Sequence, residues 1–190
     1  YHVVIKKRLH ALCDALREAH KGHEFRAFVD TAPVLEREHA ARAGLGWIGK
    51  HTLLIHPRLG SYFFLGGLLT TLPIGDPTVR EGAVGMGAQD ALPDGRASQV
   101  PDHCGTCTKC LDACPTSAFV EPYVLDATKC ISYLTIEYKS EIPAELAGQF
   151  GGWAFGCDVC NEVCPWNLRF AAESTVPEFR PRADLRGAGE

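Results

Sequence analysis

Apolar side chains recur at Ile5, Leu9, Leu12, Cys13 and Leu16, a spacing that lays one stripe along a helix over residues 3–19. Residues 25–29, Phe-Arg-Ala-Phe-Val, then read as a short strand that delivers Asp30 at its end. Thr31 is placed to cap a following helix with Pro33 in its first turn, where a missing N–H costs little. That helix is predicted to pass through Leu35, Glu36 and Arg37 to Ala43 and to stop at Gly44. Thr52–Ile55 and Ser61–Leu69 are strand-like, joined by a turn around Pro57–Gly60. An α/β arrangement is the natural assembly of these pieces.

Between helix and strands lies Gly44-Leu45-Gly46-Trp47-Ile48-Gly49-Lys50-His51. Glycine at this density lets backbone approach a ligand or another segment closely; a plain turn is the alternative reading. From Pro73 to His103 periodicity is lost and Gly, Pro, Asp and Ala dominate, which predicts a long surface loop. Beyond it, short helices are expected over Asp112–Ala118 and Cys130–Tyr138, and the tail from Arg169 is charged and weakly patterned. These shifts divide the chain into residues 1–75, a linker at 76–102, a small domain at 103–168 and a tail at 169–190.

Composition narrows the classes. The chain has 190 residues, 46% of them hydrophobic, enough for one domain or two small ones. No apolar run approaches the ~20 residues that span a bilayer, so no membrane association is expected. A net charge of −4 speaks against a protein built chiefly to grip nucleic acid. The thiol content, without a secretory signal, places the protein in a reducing, cytoplasmic setting.

Eight of the nine cysteines fall between Cys104 and Cys164. Cys104, Cys107, Cys110 and Cys114, followed by Pro115, make the run C-x2-C-x2-C-x3-C-P. This is the spacing of bacterial ferredoxins, in which three thiolates hold one [4Fe–4S] cluster and the cysteine before proline ligates the neighbouring one. Cys157, Cys160 and Cys164, followed by Pro165, repeat it with Ala154 in the first ligand's place, and Cys130 completes eight thiolates. The spacing assigns Cys104, Cys107, Cys110 and Cys164 to one cluster and Cys114, Cys130, Cys157 and Cys160 to the other. Two zinc sites or a set of disulfides are the alternatives. Cys13 belongs to the helical stripe and reads as a buried, inert thiol. The eight histidines show no ligand spacing, so His51, His56 and His103 read as surface or hydrogen-bonded side chains. Neither an Asp-x-His-x-x-Gly segment nor a phosphate loop is present.

The segments Val29-Asp30-Thr31-Ala32-Pro33-Val34-Leu35-Glu36-Arg37, Ala43–Lys50 and Gly60–Gly66 closely resemble the epoxyqueuosine reductases. So do Asp102–Thr116, Cys130-Ile131-Ser132-Tyr133 and Trp153–Trp166. The resemblance implies an α+β or α/β chain: a partial cobalamin-binding reductase domain, then a ferredoxin-like domain with two [4Fe–4S] clusters. It implies an enzyme that removes the epoxide oxygen of epoxyqueuosine in the tRNA anticodon loop. Cobalamin would be the cofactor, and electrons would come through the clusters from an external donor such as a flavodoxin or ferredoxin. A monomer is expected. Asp30 matches the family's proton donor, and a buried carboxyl with a raised pKa is expected there; taken alone, Asp30 would be a helix cap. Asp30, Leu54, Leu65, Ser132, Cys157 and Asp158 map near the corrin, and Lys50 reads as a contact to corrin or tRNA, or as a surface lysine. Relative to the family, the loop after Leu72 is long, and the N-terminal part of the cobalamin domain and a C-terminal helical-repeat region are missing. A dehalogenase-like corrinoid enzyme, a bare electron carrier and a zinc-stabilised binding module are the competing readings.

Overall fold

The computed structural model describes residues 1–73 and 101–180. Most of the expected loop between Pro73 and His103 lies outside them, as does the end of the tail. The chain forms two compact units. One gathers Tyr1–Glu36 with the described parts of Phe64–Gly85 and Ala172–Glu190; the other gathers Arg37–Phe63 with the described part of Met86–Ala171. The secondary structure is mixed α and β throughout.

In the first unit, helix α1 (His2–Ala19) packs beside strand β1 (Phe25–Phe28), which pairs antiparallel with β4 (Gly67–Thr70). The register sets Phe25 opposite Thr70 and Phe28 opposite Gly67. Cys13 is fully buried on α1, while Leu12 is 47% exposed and leaves the predicted stripe. The inward line is Cys13 with the half-buried Ile5, Leu9 and Leu16, spaced four, four and three, and Leu12 falls to one side of it. Tyr1 stacks on Phe64 with ring centroids 4.0 Å apart, and Phe64 meets Phe179 edge-on at 5.4 Å.

Helix α2 (Glu36–Arg42) starts five residues after Thr31, which corrects the expected cap. Thr31 instead turns its hydroxyl back to the Val29 carbonyl. The stop at Gly44 is as expected. With φ at +76°, it sends the Leu45 N–H to the Ala40 carbonyl and its own N–H to Ala41, satisfying carbonyls the helix end would leave bare.

In the second unit the glycine-rich segment is a hairpin, with β2 (Trp47–Ile48) antiparallel to β3 (Leu54–Ile55). A Cβ at Gly46 would stand 2.1 Å from the Ile55 carbonyl oxygen, so only glycine permits this approach. The strand expected over Ser61–Leu69 forms only at its end, as β4, and pairs with β1 rather than β3. The polar groups of Ser61 go elsewhere: its N–H reaches Asn167 Oδ1 at 2.6 Å and its hydroxyl reaches Asn161 Oδ1 at 2.7 Å.

Helix α3 (Lys109–Asp112) precedes Cys114, so the helix expected over Asp112–Ala118 is displaced toward the N-terminus. Pro115 disfavours helical backbone at Cys114, and the chain leaves the helix there. A small hairpin, β5 (Phe119–Glu121) with β6 (Val124–Leu125), leads to α4 (Ile131–Ile136), inside its predicted span. Helices α5 (Ala144–Ala147), α6 (Val159–Glu162) and α7 (Pro165–Phe170) follow. Two buried clusters hold this unit: Trp47, Ile55 and Cys164 in one, Ile131, Leu134 and Phe150 in the other.

Candidate metal centres

The two cysteine runs fold alike. Each sends its C-x2-C pair into a four-residue helix, α3 carrying Cys110 and α6 carrying Cys160, and the two helices contact each other. Each run then ends in Cys-Pro; at the second, Pro165 occupies the first turn of α7, where its missing N–H leaves no bond unmade. Cys104, Cys107, Cys110 and Cys164 line one cavity of about 130 Å³. Cys114, Cys130, Cys157 and Cys160 line a second, smaller one, walled by Pro115, Ala118, Phe119, Leu125 and Ile131. No disulfide joins any of them. Among the described residues, no three Cys, His, Asp or Glu side chains converge closely enough to hold a single metal ion. The thiols instead surround spaces, the donor arrangement that a four-iron cubane takes.

Burial and mutual repulsion act on these thiols together. Burial pushes the Cys110 thiol up to about 11 and the Cys160 thiol up to about 12, with neighbouring thiolates adding to both. Thiols raised in this way stay protonated at neutral pH unless a cation binds them. Iron removes that obstacle, because a bound metal deprotonates its thiol ligands outright.

The β2–β3 hairpin closes over the first cavity. Lys50 is 8% exposed, and its ammonium donates to the carbonyls of Gly105 at 2.6 Å and Cys107 at 3.0 Å. It is therefore not a surface lysine but a clamp on the Cys104–Cys107 loop. His51 is 3% exposed and lines the same cavity. Its Nδ1 accepts from the Leu53 N–H at 3.2 Å, and burial holds its pKa down to about 4, so the neutral ring carries its proton on Nε2. That Nε2 has no hydrogen-bond partner, and neither has the buried Nε1 of Trp47. Burial pushes the Cys104 thiol up, and the nearby Lys50 backbone N–H and Trp47 indole N–H oppose the rise. Trp47 also meets His103 and Trp166 edge-on, with centroids 4.9 and 4.8 Å apart.

Asp30 sits elsewhere, in the first unit. Its φ is +57° and the Thr31 N–H returns to the Val29 carbonyl at 2.6 Å, so Asp30 is the apex of a three-residue turn. The expectation of a buried, high-pKa carboxyl is corrected. The side chain is 61% exposed, and His2 Nε2 lies 2.9 Å from its Oδ2. Hydrogen bonds from His2 and then Tyr1 outweigh desolvation and hold the carboxyl below its usual range.

Of the residues mapped near the corrin, three come together. Ser132 Oγ accepts from the Cys157 N–H at 3.1 Å, and Asp158 opens α6 and accepts from the Asn161 amide at 3.2 Å. Leu54 is buried in β3, and Leu65 belongs to the first unit. The sequence reading missed Trp47 and His51 as cavity groups, and Asn161 and Asn167 as buried anchors. Asn167 donates to Ser61 Oγ at 2.8 Å and to the Asn161 carbonyl at 2.9 Å. The only local signal was that a tryptophan and a histidine flank a dense glycine run.

Comparisons with known proteins converge on one family. Residues 103–167 match the family model for a 4Fe–4S double cluster binding domain, so the chain carries an iron–sulfur-binding domain. The epoxyqueuosine reductase of Cellulophaga algicola is 49% identical over 185 residues, covering 97% of this chain and 54% of that protein. A crystal structure of epoxyqueuosine reductase with an epoxyqueuosine-modified tRNA-Tyr stem loop superposes with a TM-score of 0.76 at 35% identity, covering 91% of this chain and 40% of that one. A Bacillus subtilis epoxyqueuosine reductase, solved with an aspartate-bearing catalytic loop swung out of the active site, gives 0.74 at 33% identity, covering 90% and 40%. The chain spans about half the length of the curated relatives it matches. On these likenesses the chain is similar, over nearly its whole length, to about half the length of these epoxyqueuosine reductases.

Proposed function

We propose that this chain is the cluster-bearing part of an enzyme that reduces epoxyqueuosine to queuosine in the anticodon loop of tRNA. The observation that carries the reading is the sorting of eight cysteines into two rings of four, in a chain half identical to a named reductase. Cys104, Cys107, Cys110 and Cys164 would hold one [4Fe–4S] cluster, and Cys114, Cys130, Cys157 and Cys160 the other. Ser132 and Asp158 lie beside the second cysteine ring, which includes Cys157, and these three, with Asp30, Leu54 and Leu65, would contact a cobalamin. The corrin, when bound, supplies the reductive cleavage of the epoxide C–O bonds.

Removing the epoxide oxygen as water takes two electrons and two protons. The thiolate rings offer a path for the electrons, delivered by an external donor of the flavodoxin or ferredoxin kind. Asp30 would deliver a proton to the departing oxygen. The exposed Asp30 fits an outward position like that of the Bacillus relative's loop, with the carboxyl ionised. Turning inward would break its bond to His2 and strip its water, and both changes raise a carboxyl's pKa toward that of a working acid. The enzyme is proposed to act in the cytoplasm as a monomer; among the described residues, no helix is long and apolar enough to cross a membrane.

The test is anaerobic reconstitution followed by iron, sulfide and cobalt analysis and a single-turnover assay on epoxyqueuosine-containing tRNA. Eight irons per chain, corrin absorbance and queuosine formation are expected. Eight irons without corrin binding would reduce the protein to an electron carrier.

A further inference from the structure

The hairpin over the first cysteine ring offers polar hydrogens that no group in the protein receives. His51 presents a buried Nε2–H to the cavity and Trp47 a buried indole N–H near Cys104. Lys50 brings a full charge under the same loop, and its backbone N–H lies near Cys104. Among the described residues, no carboxylate lies within ion-pair distance of its ammonium. Asp102, which feels that charge, is itself bonded to the Tyr123 hydroxyl. Burying an ammonium and two N–H groups without full partners is costly unless something in the cavity answers them. The second ring is different. Its Cys114 sulfur meets the Ala118 N–H at 3.3 Å and the Thr116 hydroxyl at 3.8 Å, and no lysine, histidine or tryptophan lines that cavity.

Resting on the two-cluster reading, we propose that Trp47, Lys50 and His51 set the reduction potential of the cluster on Cys104, Cys107, Cys110 and Cys164. The two ring N–H groups donate to its sulfurs and the Lys50 charge stands beside it. One-electron reduction adds a negative charge to the cluster and moves no proton. Hydrogen bonds to sulfur and a nearby cation stabilise the reduced form and raise the potential. The first cluster is therefore the more easily reduced of the pair, and the first electron to arrive resides there.

The experiment is a dithionite titration of the reconstituted protein followed by electron paramagnetic resonance, with the first cluster's signal assigned in a Cys130→Ala background. In His51→Leu, Lys50→Met and Trp47→Phe, the reduced-to-oxidised ratio of the first cluster at a fixed poise should fall by about tenfold each, roughly 59 mV for a one-electron couple. The second cluster should not move. Lys50→Arg, which keeps the charge, should restore most of the ratio. Equal shifts in both clusters, or none in fully loaded variants, would overturn the proposal. If a variant fails to load, pulsed resonance on unmutated protein labelled with ¹⁵N-histidine or ¹⁵N-tryptophan decides the matter: coupling of either nitrogen to the reduced first cluster is expected, and its absence refutes the assignment. Failure of the two-cluster reading would appear separately, as fewer than eight irons per chain.

Discussion

Asp30 shows how one side chain can be tuned in opposite directions. Facing solvent at the apex of a tight turn, it is held as a carboxylate by His2 and Tyr1. Because its folded pKa lies below the unfolded value, the small stability it adds is present above about pH 4 and is lost as pH falls through the lowered pKa. Asp30→Asn should leave thermal stability within about 0.5 kcal/mol, as for an exposed site, and leave iron and corrin content unchanged. Turnover on epoxyqueuosine-containing tRNA should drop by about 10²- to 10⁴-fold, the usual worth of a general acid. Near-normal turnover would return Asp30 to a turn residue. Among the cysteines, Cys130→Ala should lose one cluster and keep the other, whereas Cys13→Ala should leave the iron count unchanged; iron analysis of both separates ligand from core thiol. The spacing of the cysteines was legible because three ligands of a cubane come from one local run. His51 and Lys50 were not. Their burial depends on which loop folds over them, and that loop is 55 residues away for the Lys50–Gly105 bond.

The β2–β3 hairpin lines the first cavity, and Asn167 anchors the chain that leaves it. Gly46→Ala would press a methyl into the Ile55 carbonyl and should cost about 3 kcal/mol, seen as a lower unfolding midpoint and weaker retention of the first cluster. Asn167→Ala would strip the Ser61 N–H of its acceptor and should cost about 1–3 kcal/mol by the same measurement. Helix α1, strand β1 and the Gly44 stop were readable because their signals are local: a 3.6-residue stripe, an apolar run, and a glycine free to take positive φ. The strand expected over Ser61–Leu69 was not, because a strand exists only with a partner. Asn161 and Asn167 had already claimed the polar groups of Ser61. Helix α3 was misplaced by a few residues for a related reason, since Pro115 acts on the residue before it.

At the scale of the whole molecule, charge and length point the same way. A net charge of −4 leaves little excess of cations to neutralise phosphates, and the chain spans about half of its curated relatives. Binding of an anticodon stem loop by this chain alone should therefore be weaker than binding by a full-length relative, with a shallower dependence on salt because fewer phosphates are contacted. Fluorescence anisotropy across a salt series measures both. Equal affinity and equal salt slope would place the tRNA grip within these residues.

The crossing of the two cysteine runs has a consequence for biosynthesis. Cys164, near the end of the second run, completes the ring begun by Cys104, and Cys114 of the first run serves the other. On a nascent chain the second ring can close only after residue 160 has left the ribosome, and the first only after residue 164. At 5–20 residues per second, the 60 positions from Cys104 to Cys164 take about 3–12 s to make, during which the first three thiols stand without their fourth. Iron delivered in that interval meets an incomplete first site, so insertion of either cluster is a late event, and a ribosome stalled before Cys160 leaves a chain with neither ring closed.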